Sequence, residues 1–315
     1  MNSPLEDETS PIIGVLGLGA MGGPMTERLL AAYGRLAVHS RSPRPQLVAA
    51  GATWAATPRE LAAESTTVLS MLPDLPQLQE ALDGPDGLLT GLTERDGDLL
   101  LLIGSTSSPT GVRELAKRLD EATGGRVRVV DCPVSGGVDG ATAGTLSIMI
   151  GGTDADAERA AGILQPCGTP VHLGPLGAGE VAKACNQLVV ASTITALGEA
   201  TELAARSGLD LDALWTLLSG GYAGSRLLDS RKDKLVAGDD SPSGAAGYMV
   251  KDLGFAADVA AATGLHLALL PALRDIFDEI VAAGLGERDI AVSRRLAAQR
   301  RPNPDPAVGA SDYAG

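Results

Sequence analysis

The sequence is short of aromatic residues, with two Phe, two Trp and four Tyr in 315 positions, so its apolar content is aliphatic and Ala-rich. Basic residues are also scarce. Lys and Arg number 25 against 39 Asp and Glu, and without clustered cations a nucleic-acid partner is not expected. Three cysteines, Cys132, Cys167 and Cys185, are odd in number, widely spaced and free of a C-x-x-C motif. They exclude a disulfide frame and a zinc site, and read as reduced thiols of a cytoplasmic protein. The three histidines, His39, His172 and His266, have no metal-ligand spacing, so no metal is expected. No basic-then-apolar leader opens the chain, and no long uncharged apolar run suggests a membrane span.

The length leaves room for two domains. The first feature with chemical content is "VLGLGAMGGPM", residues 15 to 25, where Gly17, Gly19 and Gly22 have the spacing G-x-G-x-x-G. An apolar strand-like run precedes them and a helical run follows. A tight strand-to-helix turn aims unpaired N–H groups, at the positive end of a helix, at one point where a phosphate fits. The turn Gly17, Leu18, Gly19, Ala20 and Met21 is therefore a candidate pyrophosphate cradle. In a chain with 40 glycines the motif alone would be weak, and its strand-to-helix setting makes the case.

Polar ends rich in Pro or Gly, 1–11 and 301–315, read as disordered tails. Between them, strand candidates "IIGVLGL", "RLAVHS", "TTVLSML", "DLLLLIG" and "RVRVVDCPV" alternate with helical patterns such as "PTGVRELAKRLDEAT". That alternation predicts an α/β Rossmann domain, a parallel sheet covered on both faces, over 12–176. "GTLSIMIGG" (144–152) adds one more strand. From 177 to 300 the pattern is helical. It opens with one proline-free run ending near Gly208, and the other helical segments begin with "LDALWTLLSG" and end with "RDIAVSRRLAAQR". An all-α domain joined by a long helix is expected, and so apolar a helix would most easily be buried against a second subunit.

The second strand ends in "AVHSRSPRP", and no acidic residue lies between Glu27 and Glu60. An acidic residue at this point would favour NAD through the ribose hydroxyls. Ser40, Arg41 and Ser42 instead suit the 2′-phosphate of NADP, with NAD possible, and Arg44 lies close by. A solvated loop arginine is the competing reading of Arg41.

Two further stretches can carry chemistry. In "DCPVSGGVDG", Ser135 with Gly136 and Gly137 makes an anion nest suited to a carboxylate, or else a Gly-rich hairpin. In "GAGEVAKACNQ", Lys183, Asn186 and Gln187 share one face of an otherwise apolar helix. Burying an ammonium and two amides is costly unless they are used. The bland alternative is an exposed ion pair of Lys183 with Glu180. Helix start and burial both ease proton loss from Lys183, as a general acid/base near neutrality requires. A nicotinamide hydride attacking a carbonyl, with Lys183 supplying the proton and Asn186 and Gln187 orienting the substrate, unites these features.

In this ordered set the chain resembles the 3-hydroxyisobutyrate dehydrogenase-like β-hydroxyacid dehydrogenases. The blocks are "IGVLGLGAMGGPM", "STSSP", "DCPVSGGVDGATAGTLSIMIGG" and "GAGEVAKACNQ", with "MLPD" and "KDL". The resemblance implies a Rossmann domain, an all-helical domain and a homodimer or homotetramer. It implies Lys183 as catalytic acid/base, Ser135, Gly136 and Gly137 at the substrate carboxylate, and Asn186 on the substrate. Leu72, Pro73, Thr106 and Lys251 are implied cofactor contacts, and Asp252 a structural partner. One departure is "LLIGST", where the family often has an acidic residue before the Ser-Thr pair. "KACNQ" and "GGYAGSRLLD" look most like the tartronate semialdehyde reductases within the family. Imine reductases and non-catalytic relatives usually lack the lysine that stands here at 183. Tyr222 and Arg226 are candidate specificity residues or simple packing and surface groups. The expected partner is a small carboxylate-bearing carbonyl compound or hydroxyacid.

Overall fold

The computed structural model describes residues 12–300; both expected tails lie outside the described residues. The chain divides into two compact units. The first runs to Val189 and takes in Lys251–Leu270, and the second comprises Val190–Val250 and the chain from Pro271.

The first unit is built on a sheet with strands β1 (Ile13–Leu16), β2 (Ala37–His39), β3 (Thr53–Trp54), β4 (Thr67–Ser70), β5 (Leu99–Ile103), β6 (Val127–Asp131), β7 (Val134–Ser135), β8 (Leu146–Gly151) and β9 (Gly168–Gly174). Between them lie helices α1 (Gly22–Tyr33), α2 (Pro45–Ala49), α3 (Pro58–Glu64), α4 (Leu75–Leu82), α5 (Leu88–Leu92), α6 (Pro109–Thr123), α7 (Gly137–Ala143) and α8 (Asp154–Leu164). Strand order is β3-β2-β1-β4-β5-β6-β8-β7, with β9 paired to β8. The first six strands in this order are parallel. β8 then meets β6 and β7 antiparallel and β9 parallel. The all-buried runs of β1, β4 and β5 are what a strand covered on both faces requires. Helix starts are written locally. Ser108 caps α6 through the N–H of Gly111, and Thr57 caps α3 through that of Glu60.

The order reverses between β1 and β4, the switch point at which open α/β sheets bind ligands. The register aligns Leu16 with His39 and Ser70, Ser70 with Ile103, and Ile103 with Asp131. The carboxyl ends of five strands therefore form one rim.

Helix α9 (Ala178–Arg206) is continuous, as the proline-free run implies. In the second unit its later half is joined by α10 (Leu211–Ser219), α11 (Arg226–Ala237), α13 (Leu270–Ala282) and α14 (Val292–Gln299), while α12 (Tyr248–Thr263) belongs mostly to the first unit. Gly198 lets α14 approach closely: a Cβ there would collide with Ser293, whose hydroxyl donates to the Ile194 carbonyl at 3.0 Å. Buried Asp289 accepts from Ser243 and faces Arg231 at 3.3 Å.

By length and composition α9 could cross a membrane, which the sequence did not suggest. Nor is it buried all round: only 33% of its most apolar window is buried, and Val189 and Leu203 are 64% and 69% exposed. The uncovered part is an apolar face without a partner in the described chain.

Candidate active site

The glycine turn has the division of labour its spacing suggests. Gly17, at φ +95°, is in a conformation that side-chain-bearing residues avoid, and a Cβ there would press on the Met71 backbone at 3.0 Å. At Gly22 a Cβ would run into the Gly17 carbonyl, so only glycine lets α1 start against β1. Gly19 faces open space and is exposed, as is Ala20. Leu18 is buried and Met21 caps the helix half-buried. The result is an open backbone cradle at a helix N-terminus, a fit for a dinucleotide pyrophosphate.

Beyond β2, Ser40 is half-buried and donates to the Ser42 carbonyl at 2.6 Å, which shapes the turn. Arg41, Ser42 and Arg44 are exposed. After β4 and β5 come Leu72 with Pro73, and Thr106. Lys251 joins these two loops, donating to the Pro73 and Thr106 carbonyls at 2.9 Å each. The unusual Gly104 accommodates Met71, whose sulfur a Cβ there would strike.

A residue to which no role was attached organises the rest. Asp131, the fully buried last residue of β6, accepts the N–H groups of Gly177 at 2.7 Å and Glu180 at 2.8 Å. Its carboxylate thus holds the first turn of α9, the favourable place for negative charge. Burial pushes its pKa up, and the backbone hydrogen bonds from Gly177, Glu180 and Gly179 oppose that rise. The motif "DCPV" held a signal: an Asp ending a buried strand requires partners.

One turn into α9, Lys183 is 7% exposed and donates to the Val134 carbonyl at 2.9 Å and to Gln187 Oε1 at 3.0 Å. Ammonium has three donors, so two are engaged and the third has no partner among the described residues. Val134 precedes Ser135, which brings Lys183 to the loop that Ser135, Gly136 and Gly137 form. That loop is no hairpin. β7 ends at Ser135, Gly136 (φ +136°) and Gly137 (φ +64°) turn the chain, and α7 begins. Both glycines are exposed and Ser135 is half-buried.

Gln187 is the junction of the network. Its Oε1 accepts from Asn186 Nδ2 at 2.9 Å as well as from Lys183, and its Nε2 donates to Asp252 Oδ2 at 2.6 Å. Asn186 is half-buried beside it. Burial pushes the Lys183 pKa below that of an ordinary lysine; Asp252 and Glu180 oppose the fall and Lys251 adds to it. Glu180 and Lys183 form no exposed ion pair. Glu180 is 1% exposed and accepts the Ser107 N–H at 2.9 Å. The alternative reading of this pair fails because Asp131 and the Ser107 loop cover the start of α9.

A glycine cradle at the switch point of a parallel sheet, with a buried lysine on the helix held by the last residue of β6, fits the class of dinucleotide-dependent oxidoreductases. Residues 12–177 match the NAD binding domain of 6-phosphogluconate dehydrogenase, and 177–296 match the NAD-binding domain of NADP-dependent 3-hydroxyisobutyrate dehydrogenase. The 2-hydroxy-3-oxopropionate reductase of Escherichia coli is 33% identical over 88% of this chain and 94% of its own. A 3-hydroxyisobutyrate dehydrogenase structure from Salmonella typhimurium superposes with a TM-score of 0.80 at 28% identity, covering 91% of this chain and all of that one. Another from Mycobacterium tuberculosis, solved with L-serine, gives 0.75 at 30% identity over 93% and 100%. The chain belongs to the 3-hydroxyisobutyrate dehydrogenase-like family of NAD(P)-dependent β-hydroxyacid dehydrogenases.

Proposed function

We propose that this protein interconverts a small carboxylate-bearing semialdehyde and its β-hydroxyacid, with NADP preferred over NAD. The observation that carries this reading is Lys183: a buried ammonium with one free donor, held one residue from the Ser135 loop. The bound nicotinamide supplies or accepts the hydride. In reduction Lys183 gives its proton to the carbonyl oxygen as negative charge develops there, and in oxidation the neutral amine takes it back. Ser135, Gly136 and Gly137 hold the substrate carboxylate, and Asn186 orients the reacting oxygen. Gln187, spent on Lys183 and Asp252, serves the lysine more than the substrate. The turn Gly17–Met21 cradles the pyrophosphate, Ser40, Arg41 and Ser42 the 2′-phosphate, and Leu72, Pro73, Thr106 and Lys251 frame the nicotinamide side.

Residues 12–176 form the cofactor domain in this reading, and 177–300 the helical domain for substrate and subunit contacts. The exposed face of α9 is then covered by a second copy, in a homodimer or homotetramer. The free thiols suit cytoplasmic conditions. Retention of Lys183 favours this reading over an imine reductase-like or non-catalytic one.

The test is initial-rate oxidation of NADPH and NADH with tartronate, methylmalonate and succinate semialdehydes and glyoxylate. Turnover of at least one of them, faster with NADPH and falling as the pH rises through the lowered Lys183 pKa, is expected. No turnover of any while NADPH binds would overturn the reading.

A further inference from the structure

The interior behind Lys183 contains three carboxyl groups and two amines. From β6 come Asp131 and the neutral thiol of Cys132, whose pKa burial pushes well up. From α12 come Lys251 and Asp252, and from α9 Glu180 and Lys183. The loop over Glu180 contributes the uncharged Ser107 N–H.

The three carboxyls are not equally provided for. Asp131 has backbone N–H groups on both oxygens. Asp252 accepts from Gln187 on one oxygen and, like Glu180, has its other oxygen buried with no partner among the described residues. Burial pushes its pKa up, and Lys183, Lys251 and the Gln187 hydrogen bond oppose that rise. Glu180 has the Ser107 N–H on one oxygen, and its other oxygen is buried with no partner among the described residues. Two carboxylates thus have a bare, buried oxygen, but Asp252 has two lysines opposing its protonation and Glu180 only Lys183. Glu180 is also the more buried, at 1% against 5% exposed, so Glu180 takes up a proton first. Burial drives its pKa well above that of an ordinary glutamate; Asp131 and Asp252 add to the rise, while the Ser107 hydrogen bond and Lys183 oppose it. With Glu180 neutral, two anions face two cations and the interior charge balances.

We propose that Glu180 is a positioning residue for the Lys183 proton: a neutral carboxylic acid at neutral pH that ionises as the pH rises and then holds that proton on the lysine. The two groups titrate as one coupled pair. Near neutrality the uncharged Glu180 leaves Lys183 free to give up its proton to substrate. At higher pH the new carboxylate keeps the ammonium charged, extending the range in which Lys183 can act as an acid. The catalytic consequence rests on the reading of Lys183 as general acid/base, whereas the protonation state of Glu180 does not.

Glu180→Gln tests both, because the amide oxygen still accepts from Ser107 and only the ionisable proton is lost. Infrared spectra of the cofactor-free protein should show a carboxylic-acid band at neutral pH in wild type that fades as the pH rises. The variant should lack that band. In the reduction assay, the alkaline limb of the variant's rate profile should lie about one pH unit lower than in wild type. Absence of the band from wild type, or alkaline limbs that coincide, would overturn the proposal. Melting curves check that the variant folds; should it not, Glu180→Asp, which keeps an ionisable carboxyl and should keep the band, replaces it, and absence of the band from wild type still overturns the proposal. Should no carbonyl compound be turned over, the infrared arm still reports on Glu180, so failure of the proposed reaction is told apart from failure of this inference.

Discussion

At the scale of single residues, the site depends on side chains whose worth their surroundings decide. Arg41 is exposed, which would ordinarily mark it as a solvated loop residue. Its place after β2, on the rim beside the glycine turn, is what favours a 2′-phosphate. Arg41→Ala should raise the KM for NADPH about tenfold or more while leaving that for NADH nearly unchanged, since a charge-assisted phosphate pair is lost for only one of the two cofactors. Equal effects on both, measured by initial rates, would contradict the assignment. Lys183, Asn186 and the glycines were legible because spacing alone places them on one helix face or one turn. Asp131 and the true partner of Glu180 were not. Their partners lie far away in sequence, at Gly177 and Ser107, and only the fold brings them together.

At the scale of elements, the parallel core was readable because buried parallel strands are continuous apolar runs with helices between them. β3, α5, α7, α8 and β9 were missed. β3 and α5 are short, and β9 is an edge strand carrying Pro170, so neither periodicity nor length marks them. The signal for α8 was present in Thr153, which caps Asp156 at the helix start. The element that matters most is the first turn of α9, held by Asp131. Asp131→Ala removes two hydrogen bonds to a charged group and should cost about 3 kcal/mol of stability. Thermal melting would read that loss, and activity should fall with it as Lys183 loses its fixed place. A variant with unchanged melting temperature and turnover would show that α9 is held by other contacts.

At the scale of the whole molecule, the uncovered face of α9 is the largest discrepancy with the sequence reading. The expected burial is incomplete among the described residues, and in the proposed oligomer a second copy would complete it. Val189 and Leu203, about four turns apart, lie on nearly the same side of the helix. Sedimentation should show a dimer or tetramer, and replacing both residues with Glu should give monomers by burying charge at the contact. A monomeric wild type would leave the apolar face unexplained and remove the second copy from the account.

The central claim is that Lys183 moves the proton. It is tested most directly by comparing wild type with Lys183→Met, measuring semialdehyde reduction by NADPH alongside NADPH affinity by fluorescence titration. Methionine keeps the apolar stem of the side chain, one atom shorter, but has no proton to give. The expected result is a loss of turnover of at least a hundredfold, within the usual worth of a general acid, with cofactor affinity retained. Turnover at the wild-type rate would contradict the mechanism.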